Sequence, residues 1–353
     1  MDQDRHVQRA VPRAREQAVG CAAAALRGVA VLLAAIVATA CASPAGHPRD
    51  PNGVAPPPTA SAGAIVELDL PAPRTIFVLS DVHGGYDRLA ALLATAGITR
   101  GIPERPETIA WAAADAVLLV LGDMIDKGPQ PIEVIDALRA LEAGAATAGG
   151  RVIVLLGNHE AEFFVNPTNS KADGMDGIDR ELASRNIDQA SLVTPTDPRG
   201  AWLLARPFGA RIGGWFFAHG GNTKGRNVVD LDAALRAALT AHPTFDADEI
   251  VGADSILEGR DWFADPATAA ANARALGVGH IVFGHDPKAL GPRGSIGVAQ
   301  GGLLFRVDCG MSPLVNDSDG HILRIRREGA LEIAEELGPS ASARELFRGS
   351  PTR

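Results

Sequence analysis

Three unbroken apolar runs of strand length, residues 75–79, 116–121 and 151–156, divide the first half of the chain. Runs of this kind read as central strands covered on both faces. Residues 212–218, 281–283 and 303–307 read as further strands, and 321–327 alternates apolar with polar like a strand half-buried at late position. Helical spacing fills the gaps: residues 88–95, residues 131–142 with Pro131 near a first-turn position, and an Ala-rich stretch at 267–276 that stops at Gly277. Strands and helices in alternation predict an α/β layered sandwich with mixed sheets.

The folded domain is expected to span 64–337. Residues 42–63, rich in Pro, Ala, Gly and Ser and containing Pro56-Pro57-Pro58, read as a tether, and 338–353 as a loosely ordered tail. Residues 166–200, dense in Asp, Asn, Gly and Pro, read as an insertion over the site, with a short helix at 179–185 and a role in substrate choice. At the start, five arginines (Arg5, Arg9, Arg13, Arg15, Arg27) accompany an apolar stretch at 28–37, followed by Ala38-Thr39-Ala40-Cys41. Residues 1–41 therefore read as an export signal. Its end resembles the bacterial lipobox, which implies lipidation of Cys41 and a membrane-anchored lipoprotein on the envelope side. An uncleaved anchor helix is the other reading, and the apolar run is short for it.

The composition, 353 residues with 46% hydrophobic and 21% charged, suits one large domain or two small ones. The formal charge is −9, and outside residues 1–40 it is −11, with 28 basic and 39 acidic residues. An acidic body excludes a nucleic-acid backbone as main partner but not a phosphate substrate, because bound cations invert the local charge. The cysteines, Cys21, Cys41 and Cys309, form no CxxC pair, so neither a zinc ribbon nor a disulfide framework is expected. Cys309 is expected to act as a small buried apolar residue.

The chemistry lies where the apolar runs end. In order these ends read Asp81-Val82-His83-Gly84, Gly122-Asp123-Met124-Ile125-Asp126, Gly157-Asn158-His159-Glu160, Ala218-His219-Gly220 and Gly284-His285-Asp286. Taken singly, Asp81 and His83 amount to an Asx-turn with a stray histidine, and a lone His at a strand end is usually just hydrogen-bonded. Side chains two apart on a strand nevertheless share a face, so Asp81 and His83 can reach one ion. Asp123, with two oxygens, can bridge two cations about 3.5–4 Å apart. The ordered set offers three imidazoles, two carboxylates and an amide oxygen, a donor mixture suited to a pair of hard or borderline divalent ions, Mn, Fe or Zn. His6, His47, His242, His280 and His321 fit no such motif.

These segments resemble the calcineurin-like metallophosphoesterase superfamily, and within it the phosphoprotein-phosphatase branch, whose pattern is GDxHG, GDxVDRG, GNHE, a lone His and a final His. Ser80 replaces the usual first Gly, and Gly284-His285-Asp286-Pro287 lacks the second His of the GHxH branches. Phe217–Gly221, Asp254–Trp262, Leu276-Gly277-Val278 and Phe305–Ser312 are similar to the Shewanella-like protein phosphatases, and the resemblance covers about 74–327. It implies a metallophosphoesterase-type α-β-β-α sandwich and a first metal on Asp81, His83 and Asp123. It also implies a second metal on Asp123, Asn158, His219 and His285. Hydroxide held between the metals would attack phosphorus in line, without a phosphoenzyme. His159, oriented by Asp126, would protonate the leaving oxygen. Asn158, Arg260 and Lys127 would bind substrate phosphate, Lys127 standing where the family usually has Arg and lacking its planar fork.

The expected activity is hydrolysis of phosphomonoesters, with phosphoproteins (Ser/Thr or Tyr) as substrates. Nucleotide or dinucleoside polyphosphate hydrolysis is the alternative, since the same metal motifs serve it. Residues 166–200 contain no aromatic side chain to stack on a base, which speaks mildly against that alternative. A noncatalytic envelope binding protein is a third reading, opposed by retention of all six ligands and His159.

Overall fold

The computed structural model describes residues 64–70, 74–340 and 342–351. The expected export signal, lipobox and tether at 1–63 lie outside the described residues. No helix among the described residues is long and apolar enough to cross a membrane.

Among the described residues, twelve strands make two six-stranded mixed sheets. In chain order they are β1 (Ile65–Leu68), β2 (Ile76–Leu79), β3 (Val117–Val120), β4 (Arg151–Val154), β5 (Gly209–Ile212), β6 (Trp215–Ala218), β7 (His280–Phe283), β8 (Gly297–Ala299), β9 (Leu304–Arg306), β10 (Ile322–Glu328), β11 (Leu331–Leu337) and β12 (Ala343–Gly349). One sheet runs β1-β5-β6-β7-β9-β8 and the other β12-β11-β10-β2-β3-β4. The strands that lead into the motifs pair in parallel, β2 with β3 with β4, and β6 with β7 with β9, so their carboxyl ends lie on one edge.

The period-2 pattern decides what each face meets. Val78, Leu119, Ile153, Trp215, Phe217, Val282 and Phe305 pack into one cluster between the sheets, and Cys309 is buried there as a free thiol. Their alternates Phe77, Leu79, Val120, Phe216 and Phe283 point the other way, into a cluster shared with the helices. Those helices include α1 (Tyr86–Thr95), α2 (Pro131–Thr147), α3 (Asn158–Val165) and α4 (Ile178–Arg185), with a later one at Pro266–Leu276. The layering is therefore α-β-β-α, as the resemblance implied. Pro131 occupies the first turn of α2, where its missing N–H costs nothing.

Two expectations need correction. Residues 212–218 do not form one strand: β5 and β6 pair antiparallel around a turn at Gly213, whose φ is 55°. The turn is the pair Gly213-Gly214, a hairpin signal set between Ile212 and Trp215. The domain also does not end at 337, because residues 343–349, expected as loose tail, form the edge strand β12 on β11. Its polar sequence is held by cross-strand pairs such as Arg344 with Glu336, while the Phe347 ring lies 4.8 Å from that of His280. Charge complementarity and one aromatic anchor stand in for an apolar face.

Candidate metal centre

All six expected ligands, Asp81, His83, Asp123, Asn158, His219 and His285, come together, and each is buried. Asp123 Oδ2 lies 3.3 Å from His83 Nε2 and Asp123 Oδ1 3.3 Å from His219 Nε2. Its two oxygens thus face two different donor groups. One group is His83, Asp123 and His159, and the other Asp123, His219 and His285, with each group's donor atoms within 4.8 Å of one another. Asp81 Oδ1 stands 3.8 Å from His83 Nε2.

The backbone that presents these donors is unusual. Asp81, His83, Asp123, Asp126, Lys127 and His285 all have positive φ, between 46° and 67°, a region non-glycine residues avoid. Six of the fourteen such residues among those described belong to this one site, so the strain is concentrated where the donors converge. Hydrogen bonds between motifs hold it in place. His83 N–H donates to Asp123 O (2.8 Å) and His285 N–H to Asp81 Oδ2 (3.0 Å). The close approach also dictates glycine at 157, where a Cβ would collide with Asp123 Oδ1.

The donor chemistry fits cations. His83 Nδ1–H donates to Ile125 O (2.9 Å) and His219 Nδ1–H to Leu121 O (2.8 Å), so both rings turn an Nε2 lone pair inward. Asn158 Nδ2 donates to Glu162 Oε1 (3.3 Å), which turns Asn158 Oδ1 inward, 3.1 Å from His219 Nε2 and 3.2 Å from His285 Nδ1. Lone pairs facing lone pairs in a buried site repel unless a positive charge lies between them. Burial alone would push Asp123 up, but His219, His159 and His83 hold it well below the carboxylate range. Burial opposes a charge on His219, yet Asp123 and Asp81 pull its pKa up to about 10. Burial and the nearby His219 push His285 down to about 2.

The other expected site residues surround this core. His159 Nδ1 lies 2.7 Å from Asp126 Oδ2, both side chains buried, and His159 Nε2 is 3.9 Å from Asp123 Oδ2. Asp126 Oδ1 accepts from Ile178 N–H (3.0 Å), tying the first turn of α4, in the insertion, to the dyad. Lys127 Nζ lies 2.9 Å from His83 Nε2. Arg260, 49% exposed, sits 3.7 Å from Asp286. Asp123, Asp126, Lys127, Asn158, His159, Arg260 and His285 line one cleft of about 410 Å³, whose further wall includes residues 174–177 of the insertion.

Three residues acquire roles that no sequence pattern assigned. Glu160 accepts from the backbone N–H of Asp123 (3.0 Å), Met124 (2.7 Å), Ile125 (3.2 Å) and Gly157 (2.8 Å), fixing the loop that carries Asp123. Burial, reinforced by Asp123, pushes its pKa up to about 7, against the pull of those N–H groups. Glu160 closed the GNHE segment, so its presence was legible although its task was not. Glu162 orients Asn158 and accepts from Lys171 Nζ (2.6 Å). Glu258 Oε2 stands 3.6 Å from His285 Nε2. Of the histidines outside the motifs, His280 stacks on Trp215 at 3.9 Å between ring centroids and lies 2.6 Å from Gly302 O, a structural role.

Two facing sheets whose strand ends gather carboxylates, imidazoles and an amide into paired donor groups define a dinuclear metallohydrolase scaffold. The sequence pattern of calcineurin-like phosphoesterases matches residues 74–289, more than half of the chain, and the protein belongs to that family. Its buried donor groups suit the metal centre of that family. Shewanella-like protein phosphatase 2 of Arabidopsis thaliana is 23% identical over 32% of this chain and 25% of its own length. A symmetrical bis(5'-nucleosyl)-tetraphosphatase of Methylococcus capsulatus is 27% identical over 50% of this chain and 52% of its own. The chain therefore spans a quarter to about half the length of these curated relatives. Among solved structures, a cold-active protein-tyrosine phosphatase of a psychrophilic Shewanella species superposes with a TM-score of 0.63, covering 80% of this chain and 82% of that one at 21% identity. That likeness establishes the fold.

Proposed function

We propose that this chain is a dinuclear phosphomonoesterase acting on phosphoproteins. The observation that carries the reading is the buried His159–Asp126 pair at 2.7 Å, opening on the same cleft as the shared carboxylate Asp123 and the cations Lys127 and Arg260. Asp81, His83 and Asp123 would hold one cation, and Asp123, Asn158, His219 and His285 the other. Bound there, the cations supply Lewis acidity toward phosphate oxygens and toward water. Lys127 and Arg260 bind the phosphate oxygens and set the ester in the cleft. His159 gives its Nε2 proton to the leaving oxygen, while Asp126 accepts from Nδ1–H and fixes the ring. Asp126 is a positioning residue, and its own anchor is Ile178 N–H.

Support for a protein substrate comes from the fold likeness to a tyrosine phosphatase and from the similarity to a plant protein phosphatase. Hydrolysis of dinucleoside polyphosphates is the second reading, favoured by the longer match to the Methylococcus tetraphosphatase. The deciding experiment supplies Mn²⁺ and compares phosphopeptides with diadenosine tetraphosphate, using wild type and Asp123→Asn. Peptide dephosphorylation lost in Asp123→Asn supports the proposal. Cleavage of the tetraphosphate alone sinks it. We further propose that the protein is exported and held at the envelope membrane by lipid on Cys41, on the strength of residues 1–41 alone. Fractionation of cells carrying Cys41→Ala tests this: protein still in the membrane fraction would overturn the anchor.

A further inference from the structure

Five large apolar side chains are exposed among the described residues: Ile102, Val165, Met175, Val229 and Leu314. Two of them, Met175 (79% exposed) and Leu314 (60%), line the cleft over the metal centre. They belong to two separate segments, each pinned to the turn that carries Lys127. Gly128 N–H donates to Asp176 O (3.2 Å), while Leu314 N–H (3.3 Å) and Ser312 Oγ (3.0 Å) donate to Lys127 O. An apolar side chain therefore stands on each of the two segments that flank a phosphate-binding cation.

Resting on the phosphomonoesterase reading above, we infer that Met175 and Leu314 are specificity-determining residues that grip an aromatic leaving group, that of phosphotyrosine. In the cleft both side chains expose apolar surface to solvent, and a flat ring laid against them removes that surface and its own from water. A methionine thioether adapts its shape to such a ring and makes favourable sulfur–aromatic contacts. Phosphoserine brings only one methylene to the same position. Nucleotides suit the cleft less well. Its lining has no Phe, Tyr or Trp, Lys171 is already paired with Glu162 at 2.6 Å, and Asp176 and Glu258 add negative charge to the lining, which opposes an extended polyphosphate.

The test uses the full Mn²⁺-loaded chain and two peptides of one sequence, carrying phosphotyrosine or phosphoserine. In wild type, kcat/KM for the phosphotyrosine peptide should exceed that for phosphoserine by about tenfold or more. The combined Met175→Ser and Leu314→Ser variant should bring the ratio to within about threefold of unity, mainly through KM for the phosphotyrosine peptide. Met175→Leu, which keeps the wall apolar, should preserve it. An unchanged melting temperature shows that the double variant is folded. A wild-type ratio near one, or a ratio that survives both serines, overturns the inference while leaving the phosphomonoesterase reading intact. Cleavage of neither peptide, with rapid cleavage of diadenosine tetraphosphate, removes both.

Discussion

Replacing Asp126 by Asn isolates the part of catalysis that this chain supplies through His159. The side chains are 2.7 Å apart and almost fully buried, so no water can take the place of the lost charge. Asn keeps the volume but must choose. If its oxygen stays on Ile178 N–H, its NH2 group meets His159 Nδ1; if it turns, its NH2 group meets Ile178 N–H. Either way one buried bond is lost. A buried hydrogen bond to a charged group contributes about 1.5–3 kcal/mol, equivalent to about 10- to 150-fold in rate if it acts at the transition state.

Leaving-group dependence separates this from general damage. Phenolate is a poor leaving group that needs a proton, whereas p-nitrophenolate departs without one. With Mn²⁺ saturating, kcat of Asp126→Asn on phenyl phosphate should fall by the full factor, and on p-nitrophenyl phosphate by only a few-fold. Metal content, measured on the same samples, should match wild type. Equal losses on the two esters would refute proton donation through His159, and so would no loss on phenyl phosphate.

Other perturbations follow from the same geometry. Glu160→Gln should destabilise the protein by about 2–3 kcal/mol in urea unfolding, because an amide cannot accept from all four backbone donors; a loss under 0.5 kcal/mol (roughly the effect of a surface change) would contradict the loop-holding role. Lys127→Ala removes an ammonium 2.9 Å from a ligand nitrogen, so Mn²⁺ should bind about fivefold more tightly by calorimetry while KM for phosphate esters rises; unchanged Mn²⁺ affinity counts against that placement. Burial pushes Glu336 up, but His321, Ile296 N–H and Arg344 outweigh it and hold the carboxyl at about 2 against an ordinary 4.5. Its stabilisation is thus complete above pH 4.5 and lost as pH falls toward 2, so Glu336→Gln should cost about 1–2 kcal/mol at pH 7, after solvent screening, and almost nothing near pH 2. A pH-independent cost would show that the charge on Glu336 does not anchor the C-terminal strand.

The strands β2 and β3 were legible because each is apolar at every position, and only burial on both faces permits that, while β4 breaks the pattern only at exposed Arg151. The late strands β11 and β12 were not. β11 reads Leu-Glu-Ile-Ala-Glu-Glu-Leu and β12 Ala-Arg-Glu-Leu-Phe-Arg-Gly, patterns that suit an exposed helix or a tail as well as a strand. What selects the strand is pairing between them: Arg344 with Glu336 across one ladder and Arg324 and Arg326 with Glu335 across the next. Complementarity between segments leaves no local period to read. The split at Gly213 is different: the pair Gly213-Gly214 is a local turn signal, and it separates β5 from β6 at Ile212 and Trp215.

The site divides along the same line. Ligands are constrained by chemical type, so a metal-binding set announces itself as Asp, His and Asn at strand ends. The residues that hold the ligands need only offer an acceptor in the right place. Glu160 reaches backbone 35–37 residues away, and nothing in its surroundings along the chain says so. That dependence also explains why motifs weak one by one are strong as an ordered set. Asp81 N–H and His83 N–H donate to Gly122 O and Asp123 O, and Asp123 Oδ1 accepts from His159 N–H. Asp81 Oδ2 in turn accepts from His285 N–H. Each motif therefore satisfies backbone groups that another motif's strained conformation leaves open. A chain with one motif would have neither the ligands nor the partners to hold its own loop. The co-occurrence of all five along one sequence is the trace of that mutual support.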